Sequence, residues 1–333
     1  MPPRLPTRRP PSARLLRRLT LASLVTNIGI VVSGGAVRLT ASGLGCPSWP
    51  QCTPESLVTT PALGLHGYIE FGNRLLTVLL ALVAAATLLA VLAARPRRRD
   101  TRRLAFALFL GIPAQAVLGG ITVLTRLDPW VVMLHFLLSM VLVALAVVLR
   151  HRLDEGDGPP VPRVAPPLRR LSGAVLLTLG AVVYLGTVVT GSGPYAGDAS
   201  ARRTGLDPAA MSQLHADLVF LLLGLTVGLL VALHAVAAPS DVRRAAALLL
   251  GAELAQGVVG YAQYLTGLPV ALVNLHLLGA AVLVGLATQL VLTMRTRGPV
   301  PTASGTPGPA GTATPPLVSS APEGAAAPVA SPR

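Results

Sequence analysis

Gln115-Ala-Val-Leu-Gly-Gly-Ile-Thr-Val-Leu-Thr-Arg-Leu-Asp-Pro-Trp-Val-Val-Met-Leu-His135 is answered, at an offset of 141, by Gln256-Gly-Val-Val-Gly-Tyr-Ala-Gln-Tyr-Leu-Thr-Gly-Leu-Pro-Val-Ala-Leu-Val-Asn-Leu-His276. Each copy runs apolar, turns at Thr125 or Thr266, and runs apolar again, with the same step from glutamine to histidine. Agreement carried through a turn marks an internal duplication. Each apolar arm belongs to a stretch long enough to cross a hydrocarbon core, which takes about 20 helical residues.

Extended to both sides, the same reading finds eight spans, at 17–38, 65–94, 103–124, 131–150, 171–191, 212–237, 245–266 and 270–294. Of the 333 residues 52% are hydrophobic and only 12% charged, which excludes a water-soluble fold. Strand alternation is missing, and lipid offers no partner for backbone amides, so the spans are helices. Earlier segments match more weakly. Val32-Ser33-Gly34 resembles Val189-Thr190-Gly191, and Leu65-His66-Gly67 resembles Leu214-His215-Ala216, at offsets of 157 and 149. Spans one to four and five to eight then form two copies. An even number of spans per copy makes both enter the membrane in the same direction, unlike an inverted-repeat transporter.

The fold expected is an all-α polytopic membrane protein, with eight transmembrane helices as two same-orientation four-helix-bundle repeats. Its parts are a basic N-terminus (1–16), an N-terminal unit (17–150), a linker (151–170), a C-terminal unit (171–294) and a disordered tail rich in Pro, Ala, Gly, Thr and Ser (295–333). The formal charge of +14 comes from arginines in alternate connections: Arg4 to Arg18 before span one, Arg95 to Arg103 after span two, Arg150 to Arg170 around the linker, and Arg243 with Arg244. Such placement orients a chain in the lipid bilayer of the cell membrane, with both termini cytoplasmic, and gives no face for nucleic acid. The first span reads as uncleaved.

His151 and His234 fall at cytoplasmic helix ends. The remaining histidines, His66, His135, His215 and His276, each stand a few residues inside an outer-side helix start, at one common depth. An ionisable group in lipid is costly and turns toward a partner in the bundle. Two imidazoles per unit, on helices running the same way, suit an iron porphyrin between them better than a non-haem metal, which would gather carboxylates. Glu70, one turn beyond His66, shares its helix face, while the matched position in the second unit is Val219. Glu70 is either a reactive carboxylate beside one haem or half of an intrahelical ion pair with Arg74. Asp217 is placed at the outer interface, and Glu253 either pairs with Arg243 or Arg244 or reaches a neighbouring helix. Cys46 and Cys52, the chain's two cysteines, lie in the first outer loop, where an oxidising compartment predicts a disulfide lid.

The run from Gly34 through Arg38-Leu39-Thr40-Ala41-Ser42-Gly43-Leu44-Gly45-Cys46-Pro47-Ser48-Trp49-Pro50-Gln51-Cys52, together with Glu70-Phe71-Gly72-Asn73-Arg74 and the Leu-His pairs, resembles the haem A synthase family. The resemblance spans nearly everything but the two tails. It implies oxidation of a methyl group of haem O to a formyl in the N-terminal unit, giving haem A for terminal oxidase assembly. His66 and His135 would flank the substrate haem, His215 and His276 would ligate a haem b cofactor, and Glu70 would be the catalytic carboxylate. Implied partners are an electron donor, either a quinol or an outer-side reductant, and haem O synthase. Many members of the family read Glu-x-x-His-Arg, whereas this chain has Asn73 before Arg74. Either His66 takes that ligand role from a turn higher or the substrate haem is ligated differently. A di-haem electron-transfer or haem-handling protein would also use four histidines but gives no reason for a carboxylate in one unit. A solute transporter lacks a broken span.

Overall fold

The structure, a computed structural model, describes residues 10–298. It contains eight long helices: α1 (Ala13–Leu39), α2 (Gly64–Ala93), α3 (Arg99–Leu124), α4 (Pro129–Asp154), α5 (Pro166–Ser192), α6 (Pro208–Ala235), α7 (Ser240–Leu265) and α8 (Val270–Thr293). All eight are long and apolar enough to cross a membrane, and the chain is a multi-pass membrane protein. Several helices outrun the apolar spans at the arginine-rich side, α4 by four residues and α5 by five, because arginine is a good helix former whose head can reach water.

Each unit closes into the same ring. In the first, α1 packs on α2, α2 on α3, α3 on α4 and α4 back on α1; in the second, α5 to α8 repeat that order. The rings meet through α4 against α8, flanked by α1 against α8 and α4 against α5. Exchanging the units maps this interface onto itself, as a two-fold axis along the membrane normal requires. The buried layer around it is aliphatic, with Val143, Val175, Leu179 and Leu290 all fully buried, while Leu75, Leu82, Leu89, Leu177 and Val258 point outward where lipid tails would cover them.

The duplicated turn explains why the two copies can be read against each other. Leu127 and Leu268 both take left-handed φ angles, of 60° and 61°, and each donates its N–H to a carbonyl five residues back, Thr122 or Gln263, at 2.7 Å. This closes the last turn of α3 and of α7. A proline then opens the way into the next helix, Pro129 as the first residue of α4 behind an Asp128 cap and Pro269 as the residue capping α8.

At the arginine-rich end, Arg98 donates to the Arg152, Glu155 and Gly156 carbonyls and pairs with Asp157, while Arg152 pairs with Asp100 and Glu155. Arg163 and Asp241 form a two-point ion pair at 2.6 and 2.7 Å, which holds the Arg163 guanidinium above its ordinary value. The expectation that the chain loses structure after residue 294 needs correcting. Arg295–Thr296 pairs antiparallel with Val161–Pro162, because the linker offers an unpaired edge beside the end of α8. Most of the expected tail, and residues 1–9 of the basic N-terminus, lie outside the described residues.

Candidate functional site

His135 is the seventh residue of α4, His215 the eighth of α6 and His276 the seventh of α8. Measured from the opposite helix ends, Asp154, Ala235 and Thr293, they stand at i−19, i−20 and i−17, so these three share a level to within one helical turn, about 4.5 Å. His66 does not. It is the third residue of α2 and stands at i−27 from Ala93, the end of that helix, which puts it about 10 Å nearer the loops at about 1.5 Å per residue. The residue of α2 at the common level is Asn73, at i−20 from Ala93, as His215 is from Ala235 in α6.

The pairing of His66 with His215 is therefore corrected. Helices α3 and α7 match end to end at an offset of 141, and α2 and α6 end 142 apart, not 149. Likewise α1 and α5 match at both ends with an offset of 153, not 157. Sequence favours His66 because seven residues are two helical turns, which leaves His66, Glu70 and Asn73 on one stripe. The partner of Glu70 becomes Ser212 instead of Val219, and the second unit still has no carboxylate there.

Three imidazoles rest against glycines on neighbouring helices. A side chain begun at Gly119 (α3), Gly186 (α5) or Gly260 (α7) would place its Cβ 3.2 Å from Cε1 of His135, His215 or His276 respectively. Any larger residue there would press on the ring and make it give by a few tenths of an ångström. The repeated glutamines explain the fixed spacing noted in the sequence: Gln115 Nε2 donates to the His135 carbonyl at 3.0 Å, and Gln256 Nε2 to the His276 carbonyl at 2.8 Å. Each glutamine anchors a histidine-bearing turn to the helix before it.

The three rings have unmet polar capacity. Nδ1 of His135 and of His276 is sealed without a partner, and Nδ1 of His215 has no more than a weak approach from the Val182 carbonyl. Nε2 is left as the open nitrogen of each half-buried ring. Buried polar groups are ordinarily satisfied, so three unpaired imidazoles at one depth fit a set of ligands for a flat metal complex. Among the described residues no cluster of three or more His, Cys, Asp or Glu side chains forms a conventional metal cage.

Cys46 and Cys52 form a disulfide, and both are fully buried. Their loop folds onto the N-terminal ring. The Trp49 indole lies flat on Gly120, leaving no space for a side chain there, and Gly45 lies against the His66 carbonyl just as tightly. Glu70 and Arg74 tie the loop down. Glu70 accepts the Cys46 N–H at 2.6 Å with one oxygen and Arg74 at 2.6 Å with the other, while Arg74 donates to the Cys46, Ser48 and Gln51 carbonyls at 3.2, 3.0 and 3.1 Å. The ion-pair alternative for Glu70 is thus the arrangement present, and with both oxygens engaged Glu70 positions the lid.

The second unit contributes to the same cover. Arg38 of α1 donates to the Tyr195 and Thr190 carbonyls at 2.8 and 3.1 Å, and Gly43 donates to Gly197 at 2.8 Å. His66 sits between the loops. Its Nδ1 is 3.0 Å from the Ser42 hydroxyl. Nearby Asp198 is held below its ordinary value, first by the Ser200 hydroxyl and backbone N–H and in smaller part by His66.

Of the other polar residues weighed in the sequence, Glu253 accepts from Thr226 of α6 at 3.0 Å and makes no pair with Arg243 or Arg244. Asp217 accepts from Gln213 at 2.7 Å on an exposed surface, while His151 meets Glu155 and Gln289 at 3.4 and 3.2 Å at the arginine-rich end. His234 bonds the Leu230 carbonyl at 2.8 Å. Sequence reasoning singled out Asn73 only as a departure from the family's pattern; its match to His215 and its contact with Ser33 are what that reasoning missed. The signal lies in the numbering: the step from His215 to Gln256 is 41, that from Asn73 to Gln115 is 42, and that from His66 to Gln115 is 49.

A family model described as cytochrome oxidase assembly protein matches residues 17–288. Among individual relatives, a protein named Heme A synthase from Symbiobacterium thermophilum is 31% identical over 184 residues, 53% of this chain and 59% of the relative. Its namesake from Exiguobacterium sibiricum is 31% identical over 162 residues, 48% and 54% of the two chains. That from Halalkalibacterium halodurans is 32% identical over 182 residues, 52% and 59%. The matched region spans little more than half the length of these relatives.

Proposed function

This chain belongs to the cytochrome oxidase assembly protein family, and on that basis we propose that it oxidises the methyl group of haem O to a formyl, acting as a haem A synthase. The observation that carries the reading is the level of His135, His215 and His276, each backed by a glycine and each with an unpaired ring nitrogen. The relatives' shared name supplies the substrate class.

In this reading His215 and His276 of the C-terminal ring would hold a haem b, which would supply one-electron transfer when bound, and the N-terminal ring would take haem O as substrate, with His135 as its ligand. The chain's own residues do the rest. Gly119, Gly186 and Gly260 fix the imidazole planes, and Gln115 and Gln256 hold the turns that carry two of them. The disulfide lid, held by Glu70 and Arg74, excludes water from the N-terminal ring and confines the substrate's edge. The resemblance implies that Glu70 is the catalytic carboxylate; with both its oxygens engaged by the Cys46 N–H and Arg74, we assign it instead a positioning role through the lid it holds.

Arginines crowd the connections at the helix ends opposite the disulfide, whereas the other connections on the disulfide side carry Arg126, Arg202 and Arg203, and this imbalance supports an orientation with the termini cytoplasmic and the lid outside. A reductant on that side, or a quinol in the bilayer, would supply electrons, and haem O synthase would deliver the substrate. The test is direct. Haem extracted from the protein after co-expression with a haem O-producing enzyme is expected to contain haem A or a hydroxylated intermediate by mass. Haem b alone would instead favour a di-haem electron carrier.

A further inference from the structure

The two rings differ at one ligand position, and we propose, resting on the haem reading above, that the haem of the N-terminal ring is held by one axial imidazole, His135, with the opposite position open beside Asn73 and Ser33. The C-terminal ring closes both positions, with His215 and His276.

The argument starts from the end-to-end match of the helices. With α1 on α5 and α2 on α6, Ser33 stands where the second unit has Gly186, and Asn73 stands where it has His215. Both pairs touch. Gly186 lies against the His215 ring, and the Ser33 hydroxyl donates to Asn73 Oδ1 at 2.7 Å. A glycine with an imidazole has been exchanged for a serine with a carboxamide, and the added hydroxymethyl group fills room that the smaller partner gives up. Two registers derived separately, from α1 with α5 and from α2 with α6, converge on this one contact.

Asn73 is a poor substitute for the imidazole: its amide nitrogen carries two N–H donors and no lone pair for a metal, and its oxygen is a hard donor that already accepts from Ser33. His66 is about 10 Å away along the helix, its Nδ1 bonded to Ser42 beneath the loops. It is too far from the level of His135 to bind the opposite face of the same iron. An iron with a single axial imidazole keeps a position for a small molecule, whereas two imidazoles fill both. The Asn73 N–H group then offers a hydrogen bond at the open side. The lidded ring, which is the one assigned the substrate, becomes the ring able to take a small ligand at iron, and the other becomes a closed electron relay.

Carbon monoxide is the probe. The purified full chain, loaded with two equivalents of ferrous haem b in detergent, is expected to show one haem that binds CO and one low-spin haem that does not. His135→Ala should abolish the CO-binding haem, while His66→Ala and Asn73→Ala leave one CO per protein. Ser33→Gly with Asn73→His should rebuild the fourth imidazole and weaken CO binding at least tenfold, with a second low-spin spectrum appearing. Two low-spin haems in the wild type, both refusing CO, or a new CO-binding haem created by His66→Ala, would overturn the inference and leave the haem reading standing. Failure of the chain to retain any haem would remove both.

Discussion

The N-terminal and C-terminal rings share helix order, turn geometry and the glutamine-to-histidine anchor, yet only the first carries a disulfide lid, a buried Glu70–Arg74 pair and an asparagine where the other has His215. Duplication gave both the same frame. The differences named here gather on α1, α2 and the loop between them, away from the packed interface through α4 and α8.

The rings should come apart most visibly when a ligand is removed from the closed one. His276→Ala should lower bound haem by one equivalent and abolish its low-spin absorbance, as read from the haem-to-protein ratio, while the N-terminal ring keeps CO binding. Next comes the lid. Glu70→Ala leaves Arg74 facing a buried loop without its counter-ion, and breaking a buried pair costs about 3 kcal/mol or more. Thermal unfolding in detergent should show a clear loss, with Glu70→Gln, which keeps an acceptor for the Cys46 N–H, less affected. A structural effect restricted to the first unit is expected, with the C-terminal haem spectrum unchanged.

Lesser effects probe the packing around the imidazoles. Gly260→Ala puts a methyl 3.2 Å from the His276 ring and should cost about 1 to 3 kcal/mol of strain or an equivalent loss of haem affinity. Gly29→Ala, which meets nothing within 4 Å, is the matched control. Least of all is Gln256→Leu, which removes one hydrogen bond to the His276 carbonyl and should cost about 1 kcal/mol. Its effect on the haem spectrum should exceed that of any lipid-facing leucine change on the same helix.

Much of this frame is legible in the amino-acid order. Eight apolar runs, arginines in alternate connections and the 115–135 repeat at 256–276 are local patterns, and lipid enforces them strongly. Helix ends are less so, because the apolar signal of α4 stops near Arg150 while its backbone continues to Asp154. The register of α2 is hidden for a particular reason. Leu65-His66 imitates Leu214-His215, and a two-turn shift keeps every side chain on the same stripe, so periodicity cannot tell the alternatives apart. Contacts between helices decide it, since Ser33 meets Asn73 and not His66. The lid shows the opposite case: two cysteines six residues apart announce the disulfide, but nothing in their spacing shows that Glu70 and Arg74 hold the loop.

Division of labour between the rings stands or falls on the mass of the haem that each one keeps. After co-expression with a haem O-producing enzyme, wild-type protein should yield haem b together with haem O, its hydroxylated form or haem A, and His135→Ala should yield haem b alone. Recovery of haem O or haem A from His135→Ala in wild-type amounts would be incompatible with placing the substrate in the lidded ring.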